Sequence, residues 1–212
     1  KTMFHHHRNT ICGRINSATA KCQALGATWG TAVPETSAMI WKTFGQSVAN
    51  HGLNVYGPYC GDHLNSVESD FLRHAVGVEY KNPGQSEMLH AAVGLLSLRA
   101  TALRATLRFF RKLDAMDPSR LPHTIHKNEM ARLRLLSTDQ LAKEARSSLA
   151  SLEAIALQAI EDAGGLAIND DTLPYRLIAP DWRSHPKAQF RRDINDLIKR
   201  SEIARLHARA AH

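Results

Sequence analysis

The sequence predicts an all-α protein, an irregular bundle of five to seven helices with at most one small β-hairpin. Apolar residues recur at intervals of three and four along several long segments, which is the period of an amphipathic helix. Aromatic residues make up only 6% of the chain, so Leu, Ala, Val and Ile must fill the core, as is usual in helical proteins. Only residues 166–178 carry the two short apolar runs that a hairpin needs.

The 212 residues are enough to bury a core without disulfides or a metal, and their patterns divide the chain into three segments. Residues 1–33 have weak periodicity, and we expect them to be poorly ordered or to form a short helix. Residues 34–183 form the predicted bundle core, and residues 184–212 form a basic helical segment. His5–His7 is interpreted as a solvated turn or a remnant of an engineered tag, in preference to a metal-binding tract.

The bundle core begins with a helix at Pro34, because proline suits the first turn of a helix. Gly52 ends this helix. Its inward stripe is predicted to consist of three residues spaced by four, Ile40, Phe44 and Val48. Residues 52–65 are rich in Gly, Pro, Asn and Tyr and predict a loop, which a helix over Ser66–Val78 follows.

Two long helices are predicted in the rest of the core. Leu89–Phe110 has the 4-3 apolar spacing of a coiled coil, and a second apolar flank favours a central bundle helix over a free-standing coiled coil. The other long helix follows Ser137, which together with Gln140 has the form of a capping box, and Gly164 ends it. A short helix over residues 128–136 lies between the two.

The C-terminal segment has apolar residues on two opposite sides. Its first part, after Pro186, places Phe190, Ile194 and Leu197 on one face of a helix. Its second part places three apolar residues nearly opposite, namely Ile203, Leu206 and Ala210. We therefore expect either a break near Ser201 or a partner that covers the far end.

The predicted loop contains candidate catalytic residues. Cys60, Asp62 and His63 lie within four positions of one another, and His74 follows on the next predicted helix. A cysteine becomes nucleophilic when a nearby imidazole or helix N-terminus lowers its pKa, and a helix is expected to start just after this loop. Catalytic partners usually come from distant chain segments, so the alternative is a turn with a half-buried thiol.

The fragment Tyr56–Gly61 resembles the calcium-binding loop of secreted phospholipases A2. In that family, paired cysteines and a His-Asp dyad on a helix follow the loop. Here His74 is followed by Ala75, and residues 67–80 contain no cysteine. The resemblance is therefore limited to six residues and does not indicate that family.

Other chemical motifs are missing from the sequence. It has no phosphate-binding glycine loop, no G-x-S-x-G elbow and no H-E-x-x-H pair. The cysteines at positions 12, 22 and 60 lack the spacing of a zinc site, so neither a metal nor a cofactor is predicted. His123 and His126 are interpreted as a solvated pair in a loop.

Basic residues cluster in two places, and the chain has a formal net charge of +7. The candidate partner-binding residues are Arg104, Arg108, Arg111 and Lys112, and then Arg191, Arg192, Lys199, Arg200, Arg205 and Arg209. Such stripes can track phosphates or meet an acidic protein, so the partners expected are an acidic protein surface or nucleic acid. The alternative is an ordinary solvated helix face.

These patterns favour a helical interaction module of a larger, bacterial, effector-like protein that binds its partner through basic helices. The alternative is a hydrolase or transferase that uses Cys60 with His63 or His74. The chain begins with Lys1 rather than Met, so we expect it to be part of a longer or processed product. No apolar run is long enough to span a membrane, and a cytoplasmic location is the default unless the parent protein is secreted.

Overall fold

The computed structural model describes residues 5–28, 34–78, 86–147, 150–164 and 186–210. These residues form ten α-helices and one π-helical turn, without a strand. The all-α class is therefore confirmed for the described part of the chain, with more helices than the five to seven expected. The predicted hairpin lies outside the described residues.

The described residues contain the following elements in chain order. They are α1 (His5–Thr28), α2 (Pro34–Ile40), a π-helical turn (Trp41–Gly45), α3 (Gln46–Ala49), α4 (Leu53–Val76), α5 (Ser86–Val93), α6 (Leu98–Asp114), α7 (Leu121–Leu133), α8 (Thr138–Ala145), α9 (Leu152–Gly164) and α10 (Lys187–Ala210).

The chain forms two compact units, which divide between Ala102 and Leu103 inside α6. The core of the first unit takes side chains from α1, the π-helical turn and α3 to α6, among them Ile15, Trp41, Ala49, Leu53, Leu64, Leu72, Leu89 and Leu98. In the second unit α7 and α9 share a smaller core of Met130, Leu133, Ala154 and Leu157. The three-segment organisation predicted from the sequence stays a prediction.

The N-terminal segment forms the long helix α1 instead of a poorly ordered or short-helical stretch. Ile11, Ile15 and Cys22 lie on one side of it and are buried in the core of the first unit. Most other side chains of α1 are polar, so this narrow apolar stripe gave only weak periodicity in the sequence. Packing against residues that are distant in sequence thus stabilises α1, although the local pattern did not predict a long helix.

The stripe predicted for the next helix is wrong at Phe44, whereas Ile40 and Val48 are partly buried against the core. Phe44 is 53% exposed, whereas Trp41 is fully buried and its ring stacks on Phe71 with 4.9 Å between the centroids. The π-helical turn explains the difference, because the wider turn shifts the residues that follow relative to a regular α-helix.

Pro34 begins α2 as predicted. Gly52 follows α2, the π-helical turn and α3 and ends this helical segment. Its φ is 73°, a left-handed conformation that favours glycine.

The predicted loop over residues 52–65 is also wrong, because α4 is helical from Leu53 onward with Pro58 inside it. Its first half buries one face, formed by Leu53, Tyr56, Cys60 and Leu64. A Cβ atom on Gly57 would lie 2.5 Å from the Cβ of Ala102, so glycine allows α4 and the start of α6 to approach closely. The glycines and the proline that suggested a loop are therefore accommodated within a buried helix.

Each of the two predicted long helices is in fact two helices. Gly94 has φ 66° and separates α5 from α6, which interrupts the coiled-coil spacing. Residues between α8 and α9 interrupt the second helix, and the hydroxyl of Ser151 accepts a hydrogen bond from the Ala154 amide at the start of α9. The capping box formed by Ser137 and Gln140 is confirmed.

The last helix, α10, runs through Ser201 without interruption, so the expected break is wrong. Its first half buries Phe190, Ile194 and Leu197, as the sequence predicted. Ile203, on the other side, is 51% exposed. The helix therefore keeps its backbone hydrogen bonds and leaves an apolar side chain in solvent instead of bending to bury it.

Candidate functional site

A buried carboxylate joins three segments of the first unit. Glu68 on α4 is 0% exposed, and its Oε1 accepts a hydrogen bond of 2.7 Å from the indole Nε1 of Trp41. Its Oε2 lies 2.7 Å from the His90 Nε2 of α5 and accepts a bond of the same length from the Leu98 amide. Three donors therefore compensate the cost of removing this carboxylate from water.

The same cluster caps the N-terminus of α6. The side-chain oxygen of Asn65 accepts a bond from the Arg99 amide, and the Ser97 hydroxyl accepts one from the Ala100 amide. With the bond from Leu98 to Glu68, the first three amides of α6 all have acceptors. Because Trp41, Glu68 and His90 are all buried, this cluster joins elements of the fold and gives no access to a substrate.

The candidate catalytic residues all lie on one helix, α4. Cys60 is only 2% exposed, whereas His63, three residues later, has an exposed side chain. His74 is fourteen residues from Cys60, or about 21 Å along the helix axis, so these two side chains cannot form a catalytic pair. The side chain of Asp62 lies outside what the structure describes.

The surroundings of Cys60 are those of a core thiol. The hydroxyl of the neighbouring Tyr56 donates a short hydrogen bond to the carbonyl of Ala49. Burial, followed by the proximity of Cys60 and Cys12, raises the pKa of Tyr56 to about 12. Reactive cysteines are usually partly exposed and lie in electropositive surroundings, but Cys60 packs in the apolar core. The structure thus favours the alternative of a structural thiol, although on a helix instead of a turn.

The interpretation of His123 and His126 as a solvated pair is wrong. Both lie on α7, and both side chains are buried. The Nδ1 of His123 lies 2.9 Å from the carbonyl of Leu113. The Nδ1 of His126 lies 2.8 Å from a carboxylate oxygen of Glu153, and its ring packs against Phe110. Pro122 suggested a loop, but it occupies the first turn of the helix, where proline is tolerated.

A groove of about 570 Å³ lies between α7, α8 and α9 in the second unit. It is lined by Ile125, Asn128, Glu129, Arg132, Glu144, Ser151 and Glu153. The guanidinium of Arg132 bridges the carboxylates of Glu129 and Glu144, each at 2.8 Å. The sequence did not reveal this groove, because its residues come from three separate helices and match no known spacing.

The first predicted basic cluster lies along one side of α6 in the second unit. Arg104 is partly buried, whereas Arg108 and Lys112 are exposed. Burial, and then the positive charge of Arg108, lowers the pKa of Arg104. The repulsion between these guanidinium groups means that a bound anion would be favourable at this position.

The second basic cluster lies on α10, where Arg191, Arg192, Lys199 and Arg200 have exposed side chains. The side chains of Arg205 and Arg209 are outside the described part of the structure.

The two helices pack against each other where Arg111 of α6 places its guanidinium carbon 4.4 Å from the centroid of the Phe190 ring of α10. We call the residues Arg104, Arg108, Arg111, Lys112, Arg191, Arg192, Lys199 and Arg200 the basic face.

Several cations of the basic face form no ion pair. Within the described ranges of the chain, no carboxylate pairs with Arg108, Lys112, Arg191, Lys199 or Arg200. By contrast, Arg132 pairs with two glutamates, and Lys127 with Asp114. Among the described residues, these five cations of the basic face are therefore exposed and carry a charge that no ion pair neutralises.

No protein-family model, characterised protein or solved structure matches the chain. Among the residues that the structure describes, no group of three or more His, Cys, Asp or Glu side chains is arranged to hold a metal ion. None of the described helices has the length and apolar character needed to cross a membrane. The segment that resembles a calcium-binding loop, Tyr56–Gly61, is helical.

Proposed function

We propose that the chain is a helical interaction module that binds an anionic macromolecule, an acidic protein surface or nucleic acid, through the basic face. The observation that supports this most strongly is a set of exposed cations that have no carboxylate partner among the described residues, namely Arg108, Lys112, Arg191, Lys199 and Arg200. Such cations attract a polyanion more strongly than cations that are paired with a carboxylate.

The spacing on α6 suits an extended anionic partner. Arg104, Arg108 and Lys112 are each four residues apart, so their charges repeat about every 6 Å along the helix. Burial, and then the charge of Arg108, lowers the pKa of Arg104, and a partner with regularly spaced negative charges would offset both effects. The affinity is expected to depend strongly on salt, since binding releases condensed counterions from a polyanion.

The alternative function, a hydrolase or transferase based on Cys60, has less support. Cys60 is buried on the inner side of α4, and His74 is about 21 Å farther along the same helix. A pairing with His63 would require the exposed imidazole to reach a thiol in the core. The interaction module is therefore the better proposal.

The test is to measure binding of two probes, a short duplex DNA and a poly-glutamate peptide, by fluorescence anisotropy at low salt. A variant with four charge reversals on the basic face, Arg108→Glu, Lys112→Glu, Arg191→Glu and Lys199→Glu, should bind at least about tenfold more weakly, a loss of about 1.4 kcal/mol. The probe that binds with the higher affinity will indicate whether the partner is a nucleic acid or an acidic protein.

The matched control reverses four exposed cations elsewhere, Lys21, Lys42, Arg120 and Lys143, and changes the net charge by the same amount. This control should retain most of the affinity. The proposal would be contradicted if wild-type protein bound neither probe, or if both variants bound equally weakly, because only net charge would then matter.

A further inference from the structure

The groove between α7, α8 and α9 has an apolar entrance that no described residue of its own chain covers. Ile125 lines the groove and is 58% exposed, and Leu121, one turn earlier on α7, is also exposed. The two residues are four apart, so they form one apolar strip on the outer face of α7. The opposite face of α7 packs in the core through Met130 and Leu133.

The rest of the groove is acidic, although the chain as a whole is basic. The groove is lined by three carboxylates, of which Glu129 and Glu144 pair with Arg132 and Glu153 contacts His126, so its lining holds more acidic than basic side chains. The hydrogen bond from Arg132 lowers the pKa of Glu129, so this carboxylate remains ionised at neutral pH. A complementary ligand is therefore an amphipathic segment with an apolar side chain next to basic ones.

The chain itself presents such a segment on α10. Ile203 is 51% exposed, and Lys199 and Arg200 precede it by four and three residues, so the three lie close together on the helix surface. In the same chain Ile125 and Ile203 are both exposed, so the groove of one chain does not cover its own α10.

We propose that the groove between α7, α8 and α9 receives the exposed face of α10 around Ile203 from a second copy of the chain. Ile203 would pack against Ile125 and Leu121, while Lys199 and Arg200 would face the groove carboxylates. Reciprocal exchange between two copies gives a closed dimer with two-fold symmetry. The dimer would share Lys199 and Arg200 with the basic face, whereas Arg108 and Lys112 would take no part in it, so variants of Arg108 and Lys112 distinguish the two proposals.

The first test is sedimentation of the full chain over a range of concentrations at low salt. Wild type should associate, and Ile125→Asp and Ile203→Asp should each weaken association at least about tenfold. Both side chains are exposed, so the helical spectrum and the melting temperature should remain unchanged. A wild type that remains monomeric throughout would overturn the proposal.

The second test uses charge reversal on the two sides of the interface. Glu144→Lys in the groove and Lys199→Glu on α10 should each weaken association when studied alone. An equimolar mixture should associate again, because the mixed dimer can pair opposite charges. Lys143→Glu, next to Glu144 on α8, is the control and should behave as wild type.

Three results would identify a different interface. If Ile203→Asp weakens association but Ile125→Asp does not, α10 pairs with another surface and the groove is not its site. If the mixture associates no better than its components, the two charged residues do not meet. If Arg108→Glu and Lys112→Glu reduce self-association, the basic face of α6 is the interface. Each result contradicts the proposal without deciding whether the protein binds polyanions.

Discussion

At the scale of single residues, the carboxylate of Glu68 holds together parts of the first unit that are far apart in sequence. Trp41, His90 and the start of α6 all donate to it or contact it. We expect Glu68→Ala to destabilise the protein by about 3–5 kcal/mol, because it leaves buried donors without an acceptor. Urea unfolding followed by circular dichroism measures this.

Two further variants show whether the loss of stability in Glu68→Ala comes from the buried hydrogen bonds. Glu68→Gln keeps the shape and one acceptor, so it should cost less than Glu68→Ala. Asp70→Asn on the same helix removes only a partly exposed pair with Arg73, and we expect a change of at most about 1 kcal/mol. Equal effects of Glu68→Ala and Asp70→Asn would show that the buried cluster contributes little.

The raised pKa of Tyr56 predicts that the folded protein becomes less stable at alkaline pH. Its phenol has a pKa of about 12 in the folded protein, above its ordinary value of 10. Below pH 10 the phenol is neutral in both states. Between pH 10 and 12 only the unfolded state ionises, so the free energy of unfolding should fall by about 2–3 kcal/mol.

Titration of stability over this range, compared between wild type and two variants, checks the prediction. Tyr56→Phe should lack this part of the alkaline loss, and Tyr59→Phe should retain it. If the stabilities of Tyr56→Phe and wild type fell in parallel, Tyr56 would not be the group responsible.

The different exposure of the three cysteines predicts the order in which they react with a thiol reagent. Cys12 is partly exposed, whereas Cys22 and Cys60 are buried. Burial also raises the pKa of Cys22. A thiol reagent at neutral pH should therefore modify Cys12 first, as mass spectrometry of the labelled peptides would show. Preferential modification of Cys60 would instead support the enzyme hypothesis.

At the scale of the elements, Gly94 decides whether α5 and α6 are separate helices. The Leu95 amide donates to the carbonyl of His90, as in a helix that ends at a left-handed glycine. We expect Gly94→Ala to destabilise the protein by about 1 kcal/mol, since alanine disfavours this conformation. The continuous helix predicted from the sequence would instead be stabilised by the same substitution.

Gly13→Ala is the matched control. Gly13 lies within α1, and a Cβ atom there would have no neighbour within 4 Å. This substitution should stabilise the protein by about 0.5–1 kcal/mol. The changes in melting temperature caused by Gly94→Ala and Gly13→Ala should therefore have opposite signs if Gly94 ends a helix, and the same sign if it does not.

The elements also show what local sequence can predict. Pro34 and the pair Ser137 and Gln140 mark helix starts because their effect depends only on adjacent backbone groups. In α4 the glycines and Pro58 suggested a loop, but burial of one face against the rest of the first unit outweighs their poor helix propensity. Propensity contributes less than tertiary packing at such positions.

At the scale of the whole molecule, the positions of the charged residues could be predicted from the sequence, but the surfaces that they form could not. The basic residues of α6 and α10 could be predicted, because each cluster repeats along a single helix. The contact between Arg111 and Phe190 could not be predicted, because it depends on how two distant helices pack. The acidic groove could not be predicted for the same reason, since α7, α8 and α9 each contribute only part of it.

The same limit applies to the candidate catalytic residues. Cys60 and His63 are neighbours in sequence, but on α4 one side chain is buried and the other exposed. Side chains three residues apart lie close together on a helix, so spacing alone does not distinguish a buried thiol from an exposed imidazole, and the packing of the first unit decides which side chain is buried.

The most direct test of the proposal that the basic face binds polyanions is the salt dependence of duplex DNA binding. Log Kd should rise linearly with log salt concentration. Neutralising Arg108, Lys112 and Arg191 as glutamines should lower the slope by about 1 for each phosphate that no longer has a cation beside it. Neutralising Lys21, Lys42 and Lys143 in the same way should leave the slope unchanged. Equal slopes for wild type and the basic-face variant would contradict the account, because those cations would then touch no phosphate.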